Sequence, residues 1–337
     1  MTLPPAAAIT LATMGSQIKP TSTSELSVII PVYNSADIFP ELHRRLVTVL
    51  EPVVKSFEVI AVLDGCRDRS PEVIGDIASK DPRVKMIEFS RNFGHQAAIT
   101  AGLESASGAT AIIMDDDLED PPEILPRFLT KLDEGFDVVY GIRKRRHRPL
   151  PYRILYRLFY RILGSMVDIH IPHDAGDFCA MRKQVVDAMN AMPESNRYLR
   201  GMRAWCGFRQ TGLEYDRGER LASESGYTLR KYIALALDAI FSFSYKPLKF
   251  VSLAGFIVAG LSFLLVVRLT VGRLTGEYHE VPGWASLQVS ILVLSGIHLI
   301  SIGIVGEYLA RIYDEVKQRP KFVVKKTMGI QKEGGND

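Results

Sequence analysis

Cysteine is scarce, and the three present (Cys66, Cys179 and Cys206) stand far apart with no C-x-x-C pair. That excludes a disulfide framework and a zinc site built on thiolate pairs, and it suits a reducing compartment. Charge of one sign is not in excess: the net charge is +3 over 337 residues. Neither that balance nor any aromatic-and-basic pattern points to nucleic acid as a partner. The first strand-like run ends in Pro31-Val32-Tyr33-Asn34 and not in G-x-G-x-x-G, which argues against a dinucleotide-binding site. No basic start precedes the apolar part of residues 1–24, so a disordered leader is expected there and not a signal peptide.

What the chain does have is two long runs without formal charge. Phe250–Val267 carries none, and its apolar character continues to about Val271; Trp284–Gly306 has only His298. A helix needs about 20 apolar residues to cross a bilayer core, so membrane spans are expected at 248–271 and 284–306, with a short loop at 272–283. The alternative is a pair of buried core helices. Lys246 and Lys249 precede the first run, and Arg311, Lys317, Arg319, Lys321, Lys325 and Lys326 follow the second. The loop between them has one Arg and two Glu. The positive-inside rule then places the loop outside a cytoplasmic membrane and both termini in the cytoplasm, with 307–337 a basic cytoplasmic tail.

Upstream, β-rich runs alternate with helical patterns. Strands are expected at 26–32, 57–64, 84–90, 109–115 and 136–142, with helices in each interval between them. Such alternation predicts an α/β domain with a mostly parallel, Rossmann-like sheet, placed here at 25–226. Ligands of such sheets bind beyond the carboxyl ends of the strands. The run 151–166 reads as a helix with Arg153, Arg157 and Arg161 on one side. It fits a membrane surface or a solvated arginine face equally well. Residues 227–247 form a second interfacial helix leading into the first span.

One stretch carries chemistry on its face. The fourth strand runs into carboxylates, IIMDDDLEDPPE at 112–123. Asp115, Asp117 and Glu119 alternate, and they share a face if the strand persists or converge if it turns. Hard carboxylate oxygens suit Mg²⁺ or Mn²⁺, ions that keep waters and bind substrate phosphates. A calcium loop of the EF-hand type needs Gly where Asp120 stands, and a D-x-D-x-[TV] phosphatase needs Thr or Val where Glu119 stands. The remaining alternative is a solvated acidic turn before a helix N-terminus.

The order SRNFG (90–94), DDDLEDPPE (115–123), GDF (176–178), two spans and GEYLARIYDEVKQRPKF (306–322) resembles family 2 glycosyltransferases. It is most similar to the membrane-bound polyprenyl-phosphate glycosyltransferases, including the bacterial undecaprenyl-phosphate glucosyltransferases. The resemblance covers residues 26–326. It implies a GT-A fold, a nucleotide-sugar donor, a divalent metal, a polyprenyl-phosphate acceptor in the lipid bilayer, and a tetramer. On that resemblance Asp115, Asp117 and Glu119 hold the metal, Glu119 standing where the family usually has Gln. Pro31, Tyr33, Asp64 and Asp116 match nucleotide-binding positions, and Asp64 is expected to accept the N3–H of uracil, or else to start a turn. Asp177 matches the proposed catalytic carboxylate; the alternatives are acceptor orientation and a turn cap. Arg143 and Arg220 match arginines near the acceptor phosphate, although Ser223-Glu224-Ser225-Gly226 replaces the usual G-x-S-K. The implied activity is inverting transfer of a sugar, first of all glucose from UDP-glucose. GDP-mannose as donor and a non-catalytic assembly partner are the other readings. The Q-x-x-R-W motif of processive synthases is absent, since Gly201-Met202-Arg203-Ala204-Trp205 stands in its place.

Overall fold

The computed structural model describes residues 25–143, 175–195, 197–216, 246–275 and 283–330. The leader, the arginine-bearing run 151–166, Arg220, nearly all of the helix expected at 227–247 and most of the loop expected at 272–283 lie outside those residues. The first half alternates as its hydrophobic pattern predicts: β1 (Leu26–Val32), α1 (Phe39–Leu50), β2 (Phe57–Leu63), α2 (Ser70–Lys80), β3 (Val84–Phe89), α3 (His95–Ser105), β4 (Thr110–Ile113), α4 (Leu125–Asp133) and β5 (Val138–Arg143). Three further strands are present: β6 (Ala175–Arg182), β7 (Gln210–Tyr215) and β8 (Val324–Met328). The helices α5 (Lys183–Asn190) and α6 (Leu199–Trp205) lie between β6 and β7, and α7 (Lys246–Leu274) and α8 (Trp284–Lys317) precede β8.

All eight strands form one sheet in the order β7-β5-β6-β4-β1-β2-β3-β8. β1 pairs in parallel with β2 and β4, β2 with β3, and β5 with β7. β6 is antiparallel to both β4 and β5, and β8 is antiparallel to β3. The sheet is thus mostly parallel, with the antiparallel pairs toward its flanks. Successive side chains of a strand point to opposite faces, and β1 shows the consequence. Val28, Ile30 and Val32 join Phe39, Leu42 and Leu46 of α1 in one core layer, whereas Ile29 joins Ile99 and Leu103 of α3 in the other. Both faces being covered explains why β1, β2 and β3 are buried along their whole length.

At the amino end of the strands, away from the carboxylates, a charged pair is built into the core. Glu58 accepts hydrogen bonds from Ser27 Oγ (2.6 Å), Ser107 N (2.8 Å) and Ser107 Oγ (2.8 Å), and it pairs with Lys85. Burial pushes its pKa up, but Lys85 and the serines outweigh burial and hold it below the usual carboxylate value.

Two helices are long and apolar enough to cross a membrane, with windows at Lys246–Leu265 (mean hydropathy 2.1) and Val293–Lys317 (1.6). None of either window is buried against protein, and Phe250, Phe256, Leu261, Phe263, Leu299 and Ile302 are among their exposed side chains. That disposes of the buried-core alternative, because a core helix hides such side chains. The second helix is longer than the run of uncharged residues. At 34 residues it is about 51 Å long at 1.5 Å per residue, well beyond the roughly 30 Å of a hydrocarbon core.

The segment expected as a basic tail is not free. After α8 the chain turns at Gln318 (φ 49°) and returns to the sheet as β8. Ser90 N donates to Val323 O at 2.9 Å, Phe322 stacks on Phe89 at 5.0 Å, and Lys325 Nζ meets Glu88 Oε1 at 2.5 Å. Glu315, near the end of α8, accepts from Ser195 N (2.8 Å) and Ser195 Oγ (3.0 Å).

Candidate active site

The carboxyl ends of β1, β2 and β4 and the start of α3 meet at one edge of the sheet. β2 ends at Asp64 and Gly65. Gly65 has φ +64°, and a Cβ there would lie 2.3 Å from the backbone N of Asn92, so only glycine lets the β2 end and the β3–α3 loop approach this closely. Asp64 fastens the same approach, accepting from Phe93 N (2.6 Å) and Gly94 N (2.9 Å). This corrects the expectation of a uracil contact. Asp64 is buried, with each carboxylate oxygen already committed to a backbone amide, and its role is to tie the loop that leads into α3. Pro31 is likewise buried inside β1, paired in register with Val62. Tyr33, at the end of β1, is 49% exposed and is the open member of the expected nucleotide set. Asp116 reaches back to β1, accepting from Ser35 Oγ (2.5 Å) and Tyr33 N (3.2 Å); burial raises its pKa against those two bonds.

The strand does not persist through the acids. β4 stops at Ile113, Met114 N still bonds Ile29 O (3.1 Å), and the chain then turns. Asp117 Oδ1 accepts from Glu119 N at 3.0 Å, and Leu118 sits at φ +59°. The turn carries Glu119 and Asp120 inward, to 2% and 0% exposure. Among the described residues no three acidic, histidine or cysteine side chains are grouped to hold a metal. The expected triad of Asp115, Asp117 and Glu119 is therefore not assembled, because the turn buries Glu119.

The remaining donor set still fits a hard dication. Asp115 is pushed up to about 6, first by burial and then by the charges of Asp120, Asp177 and Asp117, against the pull of His95. A carboxylate so crowded by its own kind calls for a cation. Mg²⁺ or Mn²⁺ is ordinarily held by one or two carboxylates plus substrate phosphate oxygens, which Asp115 and Asp117 can supply without Glu119.

Around Asp115 the charges alternate. His95 Nε2 lies 3.7 Å from Asp115 Oδ1 and 3.6 Å from Asp177 Oδ2. Arg200 grips Asp177 from the far side, Nε to Oδ1 at 2.8 Å and Nη2 to Oδ2 at 3.0 Å. At the other end Arg143 Nη2 lies 4.0 Å from Asp115 Oδ2 and donates to Asp120 Oδ2 at 3.1 Å, while its Nε donates to the Tyr215 hydroxyl at 3.1 Å. Tyr215 in turn donates to Asp120. The result is an arc running Arg143, Asp115, His95, Asp177, Arg200. Burial lowers the His95 pKa, but its bond to Asp177 and the two carboxylate charges outweigh it and raise the value overall. Burial pushes Asp177 up, yet His95 and Arg200 outweigh it and hold the carboxyl far below its usual range.

Of the residues expected here, Asp115, Asp117, Asp177 and Arg143 gather at this edge, Asp116 stands behind the β1 end, and Asp64, Pro31 and Glu119 are buried supports. His95 and Arg200 were not anticipated. His95 had a signal: it directly follows the glycine of SRNFG at the sheet's binding edge, and Gly94 takes φ +101° as its cap. Arg200 had none, since its partner lies 23 residues away in a different element.

Residues 27–189 match the glycosyl transferase family 2 model. A Bacillus subtilis (strain 168) protein described as uncharacterized glycosyltransferase YkcC is 43% identical over 308 residues, 91% of this chain and 95% of that one. The SfII prophage-derived bactoprenol glucosyl transferase of Shigella flexneri is 36% identical over 306 residues, 90% and 98% of the two chains. Among solved structures, the mannosyltransferase PcManGT of Pyrobaculum calidifontis in complex with GDP-Man and Mn²⁺ covers 88% of each chain at 17% identity and a TM-score of 0.47. That likeness is too distant to carry its ligands across.

Proposed function

The chain belongs to glycosyl transferase family 2, and from that premise we propose that this glycosyltransferase moves a sugar from a nucleotide diphosphate onto polyprenyl phosphate at the cytoplasmic face of a membrane. One observation carries the reading. The acidic edge with its two arginines belongs to a chain with two exposed, membrane-length helices, and that chain is 36% identical over nine-tenths of its length to a bactoprenol glucosyl transferase. A lipid-borne acceptor requires the site to stand near the bilayer, and proximity of that kind accounts for much of a transferase's advantage over solution. The relative's name supports glucose as the sugar, with UDP-glucose as the first donor to try.

Asp115 and Asp117 would hold Mg²⁺ or Mn²⁺ against the donor diphosphate. When bound, the ion supplies charge neutralisation of the departing nucleoside diphosphate. Tyr33 lies open at the end of β1 for the nucleotide base. A phosphate oxygen of the acceptor attacks the anomeric carbon from the face opposite the leaving group. The new carbon–oxygen bond forms as the bond to the diphosphate breaks, and the electron pair leaves with the nucleoside diphosphate. An α-linked donor then gives a β-linked lipid-phosphate sugar. The attacking monoester is already largely a dianion at neutral pH, so the step needs little help from a base. Asp177 suits that, because a carboxylate held so far below its usual range accepts a proton poorly.

The test is a donor panel. Membranes containing the full chain are supplied with polyprenyl phosphate and with labelled UDP-glucose, UDP-N-acetylglucosamine or GDP-mannose in turn. The expected result is label in a lipid-phosphate product from UDP-glucose. No lipid-linked label from any donor overturns the reading.

A further inference from the structure

We propose that Arg200 is a phosphate-binding residue of this site, paired across the cleft with Arg143, and that Asp177 acts by positioning Arg200. The proposal rests on the acceptor reading above and deepens it by naming the group that takes the acceptor's phosphate monoester.

The two arginines are built alike. Each directs Nε and Nη2 at a fixed partner set, and each partner set contains one carboxylate and one tyrosine. Arg143 has Asp120 and Tyr215; Arg200 has Asp177 and, beside it, the Tyr198 hydroxyl. In both cases the carboxylate is the buried partner, 0% exposed at Asp120 and 12% at Asp177, while the arginine stays 38% and 33% exposed. Each guanidinium is thus gripped from the protein side and open on the other. The two are close enough for the Arg143 charge to oppose that of Arg200. Like charges held near each other on rigid elements, β5 and α6, are what an anion between them would relieve. The planar fork matches phosphate oxygens bidentately.

Two phosphates come to such a site, the acceptor's monoester and the donor's diphosphate. The monoester is the better match. It has three terminal oxygens and nearly two charges, enough for two forks, whereas the donor diphosphate already has the cation held by Asp115 and Asp117. The geometry also speaks against Asp177 as a general base. Both of its oxygens lie within 3.0 Å of Arg200 nitrogens, and the His95 imidazole is on the remaining side at 3.6 Å. A carboxylate so enclosed has no open direction toward a substrate proton, yet it fixes the rotamer of the arginine it holds.

The experiment uses the full chain in detergent micelles. Binding of decyl phosphate is measured by calorimetry without donor, binding of UDP is measured separately, and transfer kinetics are taken with polyprenyl phosphate. Arg200→Ala is expected to weaken decyl phosphate at least tenfold and to raise the acceptor KM similarly, leaving UDP binding and donor KM within twofold. Arg200→Lys keeps the charge without the fork and is expected to fall between; it also covers the case in which Arg200→Ala does not fold. Asp177→Asn is expected to raise the acceptor KM with an unchanged pH–rate profile, and the double variant is expected to be no worse than Arg200→Ala alone. Unaltered decyl phosphate binding in both arginine variants overturns the proposal, as does a shift in UDP binding instead. So does an Asp177→Asn enzyme that loses kcat a thousandfold with an unchanged acceptor KM and a lost acidic limb, since that is a base. A wild-type chain that binds decyl phosphate through Arg200 but transfers no sugar leaves this assignment standing and removes the proposed activity instead.

Discussion

The imidazole of His95 stands 3.6 Å from the carboxylate of Asp177, and its same nitrogen stands 3.7 Å from Asp115. One side chain at the first position of α3 therefore separates the two carboxylates that flank the reaction centre. Without it, Asp115 and Asp177 face each other with no charge between them. His95→Ala is expected to lower kcat about tenfold to a hundredfold, the range for losing a hydrogen bond to a charged group, while thermal stability stays nearly level because the ring is at the rim of the site. Transfer of labelled sugar in membranes, set beside a melting curve, measures both. A rate equal to wild type would show that the imidazole has no part in the charge balance of the site.

Metal dependence follows from the acids that the turn after β4 leaves at the edge. Chelation of the full chain is expected to abolish transfer and readdition of Mn²⁺ or Mg²⁺ to restore it. Asp117→Ala is expected to cost at least a hundredfold in rate while the protein still enters the membrane, whereas Glu119→Gln, at a buried position, is expected to keep most of the activity. Mn²⁺ binding followed by electron paramagnetic resonance gives a readout independent of turnover. Full activity after exhaustive chelation, or normal Mn²⁺ binding in Asp117→Ala, sinks the assignment.

How far the sequence could be read depended on whether a residue's role was set by its neighbours in the chain. The five strands β1 to β5 and the helices between them were legible because their side chains answer to local periodicity, and SPEVIGDIASK matches α2 end to end. β8 was not. VKKTM carries two lysines and lies at a sheet edge, where charged side chains are what keep an edge from pairing further, so it resembles a solvated tail. The position of the acids at the end of β4 was legible, but which of them stay open was not. That depends on Leu118 at φ +59° and on Asp120 meeting Tyr215, 95 residues away. Asp64 was misread for the same reason: an aspartate before glycine at a strand end looks like a ligand group, and only the packing of the β3–α3 loop shows what it holds.

The buried pair at the opposite end of the sheet makes a stability prediction. Removing one partner of a buried pair leaves an uncompensated charge and ordinarily costs about 3–5 kcal/mol, so Lys85→Met is expected to lower unfolding stability by roughly that amount. Lys85→Met with Glu58→Gln should recover most of it. The pH dependence has a definite sign. The folded pKa of Glu58 lies below its ordinary value of 4.5, so its contribution is present in full above that value and is lost as pH falls through the lower folded one. Denaturant titrations at pH 7 and pH 4 should therefore differ more for wild type than for Glu58→Gln. An equal difference in both proteins would assign the acid sensitivity elsewhere.

The strap after α8 reaches the active site through a short series of contacts. Phe322 stacks on Phe89 at 5.0 Å, Phe89 meets Phe93 edge-on at 5.7 Å, and Phe93 N is held by Asp64 at 2.6 Å. Two residues later comes His95. The segment that leaves a membrane-length helix thus supports the loop that presents the imidazole. An aromatic pair of this kind is worth about 0.5–1.5 kcal/mol beyond its buried area, too little to unfold the domain but enough to loosen a loop. Phe322→Ala is expected to lower transfer several-fold with only a small change in melting temperature, and Phe322→Tyr to retain both. Hydrogen exchange at residues 90–95 distinguishes the causes. Faster exchange there in Phe322→Ala, with β1 and β2 unchanged, ties the lost rate to the loop, whereas uniform acceleration across the sheet would mean that Phe322 merely stabilises the domain and has no separate hold on the site.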